Sequence, residues 1–348
     1  MKAMKRLSRS IQPLVGAVAT SLLLGACGPD LEDATAPDEE TTTVEAAVSS
    51  ASPLVGWATV GGTVSGGGSA KAVTVTSLSA LNAAAKGTTA AVIQVSGTIS
   101  GDVSIGSNKT IVGTNSSATI KGHIDVKGSA NVILRNLNVV GYNCSDNSNC
   151  ESGADAIAVT KSAHHLFFDH LDISDGSDGN LDITHGCDFI TIAWTKFHYS
   201  SSSRAHRFSN LIGHSDSNAS EDTGHLNITI HHSWWATNVV ERMPRVRFGK
   251  VHLFNNLFTA TGNSYGLEAG NSANVMVENN VFVKLKNPID LSHGDSKSVV
   301  TSRNNIFSGT SGTSAGKGTA FNPASSYKYT VDAAANVQAI VMSGAGPH

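Results

Sequence analysis

Seven stretches of the chain share one arrangement of apolar and polar positions. Each has four or five alternating or β-branched residues, then a polar pair, then an apolar pair. They are VILRNLNV from Val132, LFFDHLDI from Leu166, ITIAWTKF from Ile190, ITIHHSWW from Ile228, VHLFNNLF from Val251, VMVENNVF from Val275 and VTSRNNIF from Val300. Their first residues are 34, 24, 38, 23, 24 and 25 positions apart, a period near 24 with two insertions. Short alternating runs bounded by turn residues predict strands, and strands at a fixed short period predict a solenoid with one coil per repeat. Asparagine recurs at the fifth position of the later repeats (Asn255, Asn279, Asn304), which suits a ladder of stacked side-chain amides. A sandwich or a propeller also uses many short strands, but neither calls for asparagine at a fixed phase. The expected fold is all-β, a right-handed parallel β-helix with loops forming a substrate cleft.

Composition narrows the partners. The 348 residues include 34 glycines, 15% are charged, and the formal net charge is −3. The chain is too apolar for wholesale disorder and not basic enough for a general nucleic-acid binder, so no nucleic-acid partner is expected. A monomer is expected.

The first residues read as a targeting segment. Lys2, Lys5, Arg6 and Arg9 precede an apolar core from Pro13 to Ala26 that is too short to span a membrane. The core ends in Leu24-Gly25-Ala26-Cys27, which resembles a bacterial lipoprotein cleavage box with Cys27 lipidated. Residues 1–27 are therefore expected to be a lipoprotein-type signal peptide, with ordinary cleavage and secretion as the alternative. Residues 28–53, acidic and aperiodic, are expected to be a flexible linker, and 54–348 a single domain. The protein would be exported, extracellular or on the outer surface, touching a membrane only through a lipid on Cys27. Export permits a disulfide between Cys144 and Cys150, six apart in a polar loop, and leaves Cys187 as a buried thiol.

Phase along the coil singles out the candidate chemistry. Counted back from the fifth residue of the pattern, Asp155 lies 15 before His170, Asp178 and Asp182 lie 16 and 12 before Trp194, and Arg242 lies 13 before Asn255. These four fall near one phase. Adjacent parallel strands are only ~4.8 Å apart, so Asp155 and Asp178 are expected to stack, with Asp178 and Asp182 on one side of an extended strand. Three carboxylates on one face repel one another unless a cation lies between them. All-oxygen donors favour Ca²⁺ over zinc, and a solvated row of surface aspartates is the alternative.

Three arginines, Arg242, Arg245 and Arg247, lie within the run E-R-M-P-R-V-R-F-G from Glu241. Alone this is a basic turn or an anion clamp. The insertions before Leu166 and Ile228 would wall the same face. His170, His231 and His232 sit inside strand patterns and are expected to pack, as are Trp234 and Trp235.

At this point the residues resemble the pectate lyase family of polysaccharide lyases. The resemblance is carried by SNKTIVG from Ser107, GADAIAV from Gly153, FFDHLDISDGSDGNLDI from Phe167, FSNLIGHSDSN from Phe208, ITIHHSWW from Ile228 and RMPRVRFGKVHLFNNLF from Arg242. It implies a right-handed parallel β-helix, with Ca²⁺ at Asp155, Asp178 and Asp182 and Arg242 as catalytic base. Arg247 would bind the substrate carboxylate and support the site, while Arg245 holds the turn. The lysine that relatives place shortly before the L-I-G-H segment is missing, and Arg207 is the candidate replacement, with Arg204 its competitor.

The implied reaction is β-elimination in polygalacturonate, in which the base removes the C5 proton and a 4,5-unsaturated end remains. Arginine is ordinarily protonated in water, so the role implies an alkaline rate optimum. The alternatives are a pectin lyase acting on methyl-esterified chains without calcium, a hydrolase of the same fold, and a non-catalytic carbohydrate-binding β-helix.

Overall fold

A computed structural model describes residues 53–142, 155–204 and 206–348. The signal, almost all of the linker, Cys27, and the Cys144–Cys150 pair lie outside these residues.

The repeat pattern becomes a parallel β-helix. One face is an eight-stranded sheet that includes Ile157–Thr160, Leu181–Ile183, Leu211–Ile212 and Arg245–Val246 as consecutive neighbours. A 17-stranded sheet wraps the remaining sides. All pairings between these strands are parallel, as a coil that always advances in one direction requires. Two strands of 11 residues, Ala130–Val140 and His164–Ser174, run through the bend that other coils break with a turn.

Same-phase residues stack through the interior. Phe197, Trp235, Phe258, Phe282 and Phe307 form a column with successive ring centroids 5.5, 4.4, 4.3 and 5.0 Å apart, close to the strand spacing. Trp235 is fully buried in this column. Cys187 is also fully buried, and burial pushes its thiol up to about 12, as suits an inert side chain.

The asparagine ladder forms one residue later than the sequence suggests. Asn136, His170, Trp194, His232, Asn255, Asn279 and Asn304, the fifth residues of the seven patterns, all adopt left-handed backbone with φ between 50° and 54°. Each makes a corner, within one long strand at Asn136 and His170 and between two strands at the other five, in a conformation that asparagine tolerates better than most residues. The stacked amides belong to the following residue. Asn256 Nδ2 donates to Asn280 Oδ1 at 3.0 Å, and Asn280 Nδ2 donates to Asn305 Oδ1 at 3.0 Å. Asn255 and Asn279 instead donate to the backbone carbonyl of Asp332.

The C-terminal segment, which includes the Ala334–Gly344 helix, covers this row of corners. His232 Nε2 lies 2.8 Å from Asp332, and His252 bridges the Tyr327 hydroxyl and Glu278 at 2.8 and 2.9 Å. His231 is buried against Phe254, with its Nε2 unpartnered. Burial lowers the pKa of His231, His232 and His252, so all three fold as neutral imidazoles.

A histidine whose folded pKa is depressed contributes stability above its unfolded pKa and loses it as pH falls through the folded value. The thermal midpoint is therefore expected to drop on acidification below about pH 6.5. A pH series of calorimetric scans checks this, with His231→Phe expected to shallow the drop.

Candidate functional site

The predicted residues lie on or beside the four neighbouring strands of the eight-stranded sheet: Asp155 two residues before Ile157–Thr160, Asp182 second in Leu181–Ile183, Arg207 before Leu211–Ile212, and Arg242 and Arg247 on either side of Arg245–Val246. Leu181 pairs with Ile157 and Asp182 with Ala158. This register sets Asp155 opposite Gly179 rather than opposite Asp178, one position from the expected stack. The reason lies in the bend after Gly176: the strand begins only at Leu181, so two-residue periodicity does not extend back to Asp178.

Gly179 makes the arrangement possible. A β-carbon there would stand 2.8 Å from Asp155 Oδ1 and 2.9 Å from Asp182 Oδ1, so the bare backbone leaves a gap between two carboxylates. Asp155 Oδ1 is buried and has no hydrogen-bond partner among the described residues. Asp182 is 7% exposed, and its Oδ1 accepts the Leu211 amide at 2.9 Å. Burial, with the neighbouring aspartates, raises Asp155 well above the carboxylate range and brings Asp182 up to about 7, although Arg242 acts against both shifts.

Asp178 has a different environment. Its side chain is 47% exposed, and its Oδ1 is 3.1 Å from His206 Nδ1. Among the described residues, no three acidic, histidine or cysteine side chains converge into a ready-made cation cage. Asp155 and Asp182 form the converging pair, and Asp178 flanks it.

Arg242 is aimed by a register slip. Phe208 pairs with Glu241, but three residues on Leu211 pairs with Arg245, four residues on. The arginine coil thus carries one extra residue, and Arg242 occupies left-handed backbone at φ 61° between the two pairings. Such bulges re-aim side chains. The peptide between Met243 and Pro244 is cis. The guanidinium carbon of Arg242 lies 4.3 Å from the centroid of the Phe208 ring, and its Nε is buried without a hydrogen-bond partner among the described residues.

The other arginines are engaged. Arg245 Nε is 2.7 Å from Glu268 Oε1, an ion pair by distance whose angle is too bent for a hydrogen bond. Arg247 is 8% exposed, with Nε donating to Asp216 at 2.7 Å and Nη1 to the Gly213 and His214 carbonyls at 3.0 and 3.3 Å. It ties the 213–216 loop to the arginine strand. Arg207 Nη1 donates to the Asn238 carbonyl at 3.1 Å, while Arg204 pairs with Asp175 at 3.3 Å.

Sequence reasoning passed over Gly179, Phe208, His206 and Asp216. Gly179 was the one with a signal, since it shares the phase of Asp155 in the preceding repeat. The other three are defined by loop geometry that a period does not encode.

A carboxyl whose folded pKa is raised loses stability as pH climbs from the unfolded value through the folded one. Without added cations, Asp182→Asn should therefore raise the thermal midpoint at pH 8 and leave it nearly unchanged at pH 4, because asparagine keeps the acceptor for Leu211 without the charge. Paired melts in chelator check this.

Known proteins share this architecture. A sequence model described as "Pectate lyase" matches residues 40–347. A probable pectate lyase B of Aspergillus terreus is 41% identical over 211 residues, covering 58% of this chain and 60% of that protein. The chain therefore spans about 60% of that relative's length. Pectate lyase A of Aspergillus niger is 34% identical over 302 residues, covering 84% of this chain and 86% of its own. A pectate lyase solved with a bound hexasaccharide superposes with a TM-score of 0.70 at 24% identity, over 84% of this chain and 96% of that one, and shares the fold. With the family's sequence pattern running almost from end to end on a parallel β-helix, this chain belongs to the pectate lyase family.

Proposed function

We propose that the protein is a polysaccharide lyase that cleaves polygalacturonate by β-elimination, with Arg242 as the base that takes the C5 proton and Ca²⁺ as cofactor. The observation that carries this reading is the meeting of an unpaired guanidine with a buried carboxylate pair. Arg242 has a buried, unpartnered Nε, and Asp155 and Asp182 converge on the gap at Gly179.

The residues fit a hard divalent cation. The donors are all oxygen, Asp155 Oδ1 is orphaned in a buried position, and the Gly179 cradle is open where a β-carbon would close it. Asp155 and Asp182 would hold the ion, and Asp178 would join them from the rim. When bound, calcium offsets the charge of the uronate carboxylate and so makes the neighbouring C5 proton easier to remove.

The protein's own residues supply the rest. Arg242 accepts the proton through its guanidine, which needs a neutral, unpaired nitrogen, and the absence of an ion pair at Arg242 among the described residues suits that need. Arg247 holds the 213–216 loop, so its contribution is chiefly support of the site, with Nη2 left to meet a substrate carboxylate. Arg207 stands one coil before Arg242, among the described residues it is tethered only to a backbone carbonyl, and its charge is left to pair with a second uronate. An exported enzyme would meet this polymer outside the cell.

The aspartates also separate the two lyase readings. A pectin lyase acts on an ester that already acidifies C5, and has no use for a buried pair of carboxylates that repel one another without a cation.

The direct test is ultraviolet absorbance of the unsaturated product from polygalacturonate. Activity should require calcium, vanish with chelator and rise with pH, and Arg242→Ala should lower kcat by about 100-fold or more. Chelator-resistant activity confined to esterified pectin would overturn this choice. Gly179→Ala should keep the fold, since its backbone is not left-handed, yet weaken calcium binding in calorimetry by about tenfold or more, as displaced ligands do.

A further inference from the structure

We infer that Phe208 is a positioning residue for Arg242, and that His206 backs its ring while engaging Asp178. The inference rests on the lyase reading and adds to it a physical link between the base and the acidic rim.

The contacts form a continuous chain. The Arg242 guanidinium carbon lies 4.3 Å from the Phe208 ring centroid. The His206 ring lies 5.0 Å from the Phe208 ring, tilted by 23°. His206 Nδ1 then stands 3.1 Å from Asp178 Oδ1. Phe208 itself is fixed at its backbone, because its carbonyl accepts the Asn180 amide at 3.2 Å and lies 2.7 Å from the buried Tyr199 hydroxyl.

Chemistry explains why a ring suits this place. Among the described residues, Arg242 makes no ion pair and no side-chain hydrogen bond, though Asp155 and Asp182 both act on it through space. A carboxylate against the guanidinium would hold its protons by charge-assisted hydrogen bonds and oppose their loss. An aromatic face attracts the cation through its quadrupole and offers no strong acceptor, so it fixes the group without locking the proton. Phe208 thus keeps Arg242 from collapsing onto the neighbouring aspartates. His206 limits the ring's freedom and holds Asp178 at the rim.

Phe208→Leu, which keeps bulk and removes the π-face, tests this in the full chain. The expected result is a fall in kcat of about tenfold with KM for polygalacturonate within about twofold, and recovery of most of kcat in Phe208→Tyr. A kcat equal to wild type, or a loss shared equally with KM, would overturn the assignment.

A second readout needs no substrate. The Arg242 Nε–H resonance, identified by its disappearance in Arg242→Lys, should be protected from solvent exchange in the wild type and lose about tenfold of that protection in Phe208→Leu. Should that variant fail to fold, His206→Ala, at a side chain 34% exposed, should loosen the same resonance. Unchanged protection in the folded variants sinks the inference, whereas an inactive wild type with the expected loss sinks the lyase reading alone.

Discussion

Hydrogen bonding between parallel strands ~4.8 Å apart is the constraint on which this protein depends. Because each coil repeats the path of the last, whatever stands at one phase must tolerate its copy directly above and below. Aromatic rings meet the condition by stacking, as from Phe197 to Phe307, and buried amides meet it by bonding to one another, as from Asn256 to Asn305. Charges meet it badly. The interior is therefore apolar and amide-bonded, and like charges gather only where something offsets their repulsion.

The carboxylate pair at Asp155 and Asp182 is such a place. The parallel register sets Asp155 beside Gly179, three residues before Asp182, so that the two acids converge; burial removes the water that would screen them, and the missing side chain at Gly179 keeps the gap open. Arg242 supplies positive charge from two coils further on without pairing. Its position comes from a one-residue slip in register between the Phe208 and Leu211 pairings. The site is thus a local departure from the solenoid, held rigid by the coils on either side. The Arg247 ties to Asp216 and the 213–216 carbonyls fasten the adjoining loop to that frame.

The ring of Phe208 adds a feature that charge alone does not supply. It occupies the turn just before the Leu211–Ile212 strand, where it can hold a cation by its face, and its contact with His206 carries the arrangement on to Asp178. Acids, guanidinium and aromatic rings form one connected surface across the neighbouring coils.

The sequence by itself determined the repeat, the coil length, the direction of the strands and the face on which Asp155, Asp182 and Arg242 gather. These follow from period and alternation, and both are visible in one dimension. Tertiary structure decided what depends on a shift of one residue. It placed the stacked amides at Asn256 and Asn280 rather than Asn255 and Asn279, because the corner residue must turn left-handed and points its amide elsewhere. It set Asp155 against Gly179 rather than Asp178, because a bend precedes the strand. It also directed Arg247 largely to a loop and Phe208 against Arg242, since insertions between repeats follow no period and only folding brings their side chains back to this face.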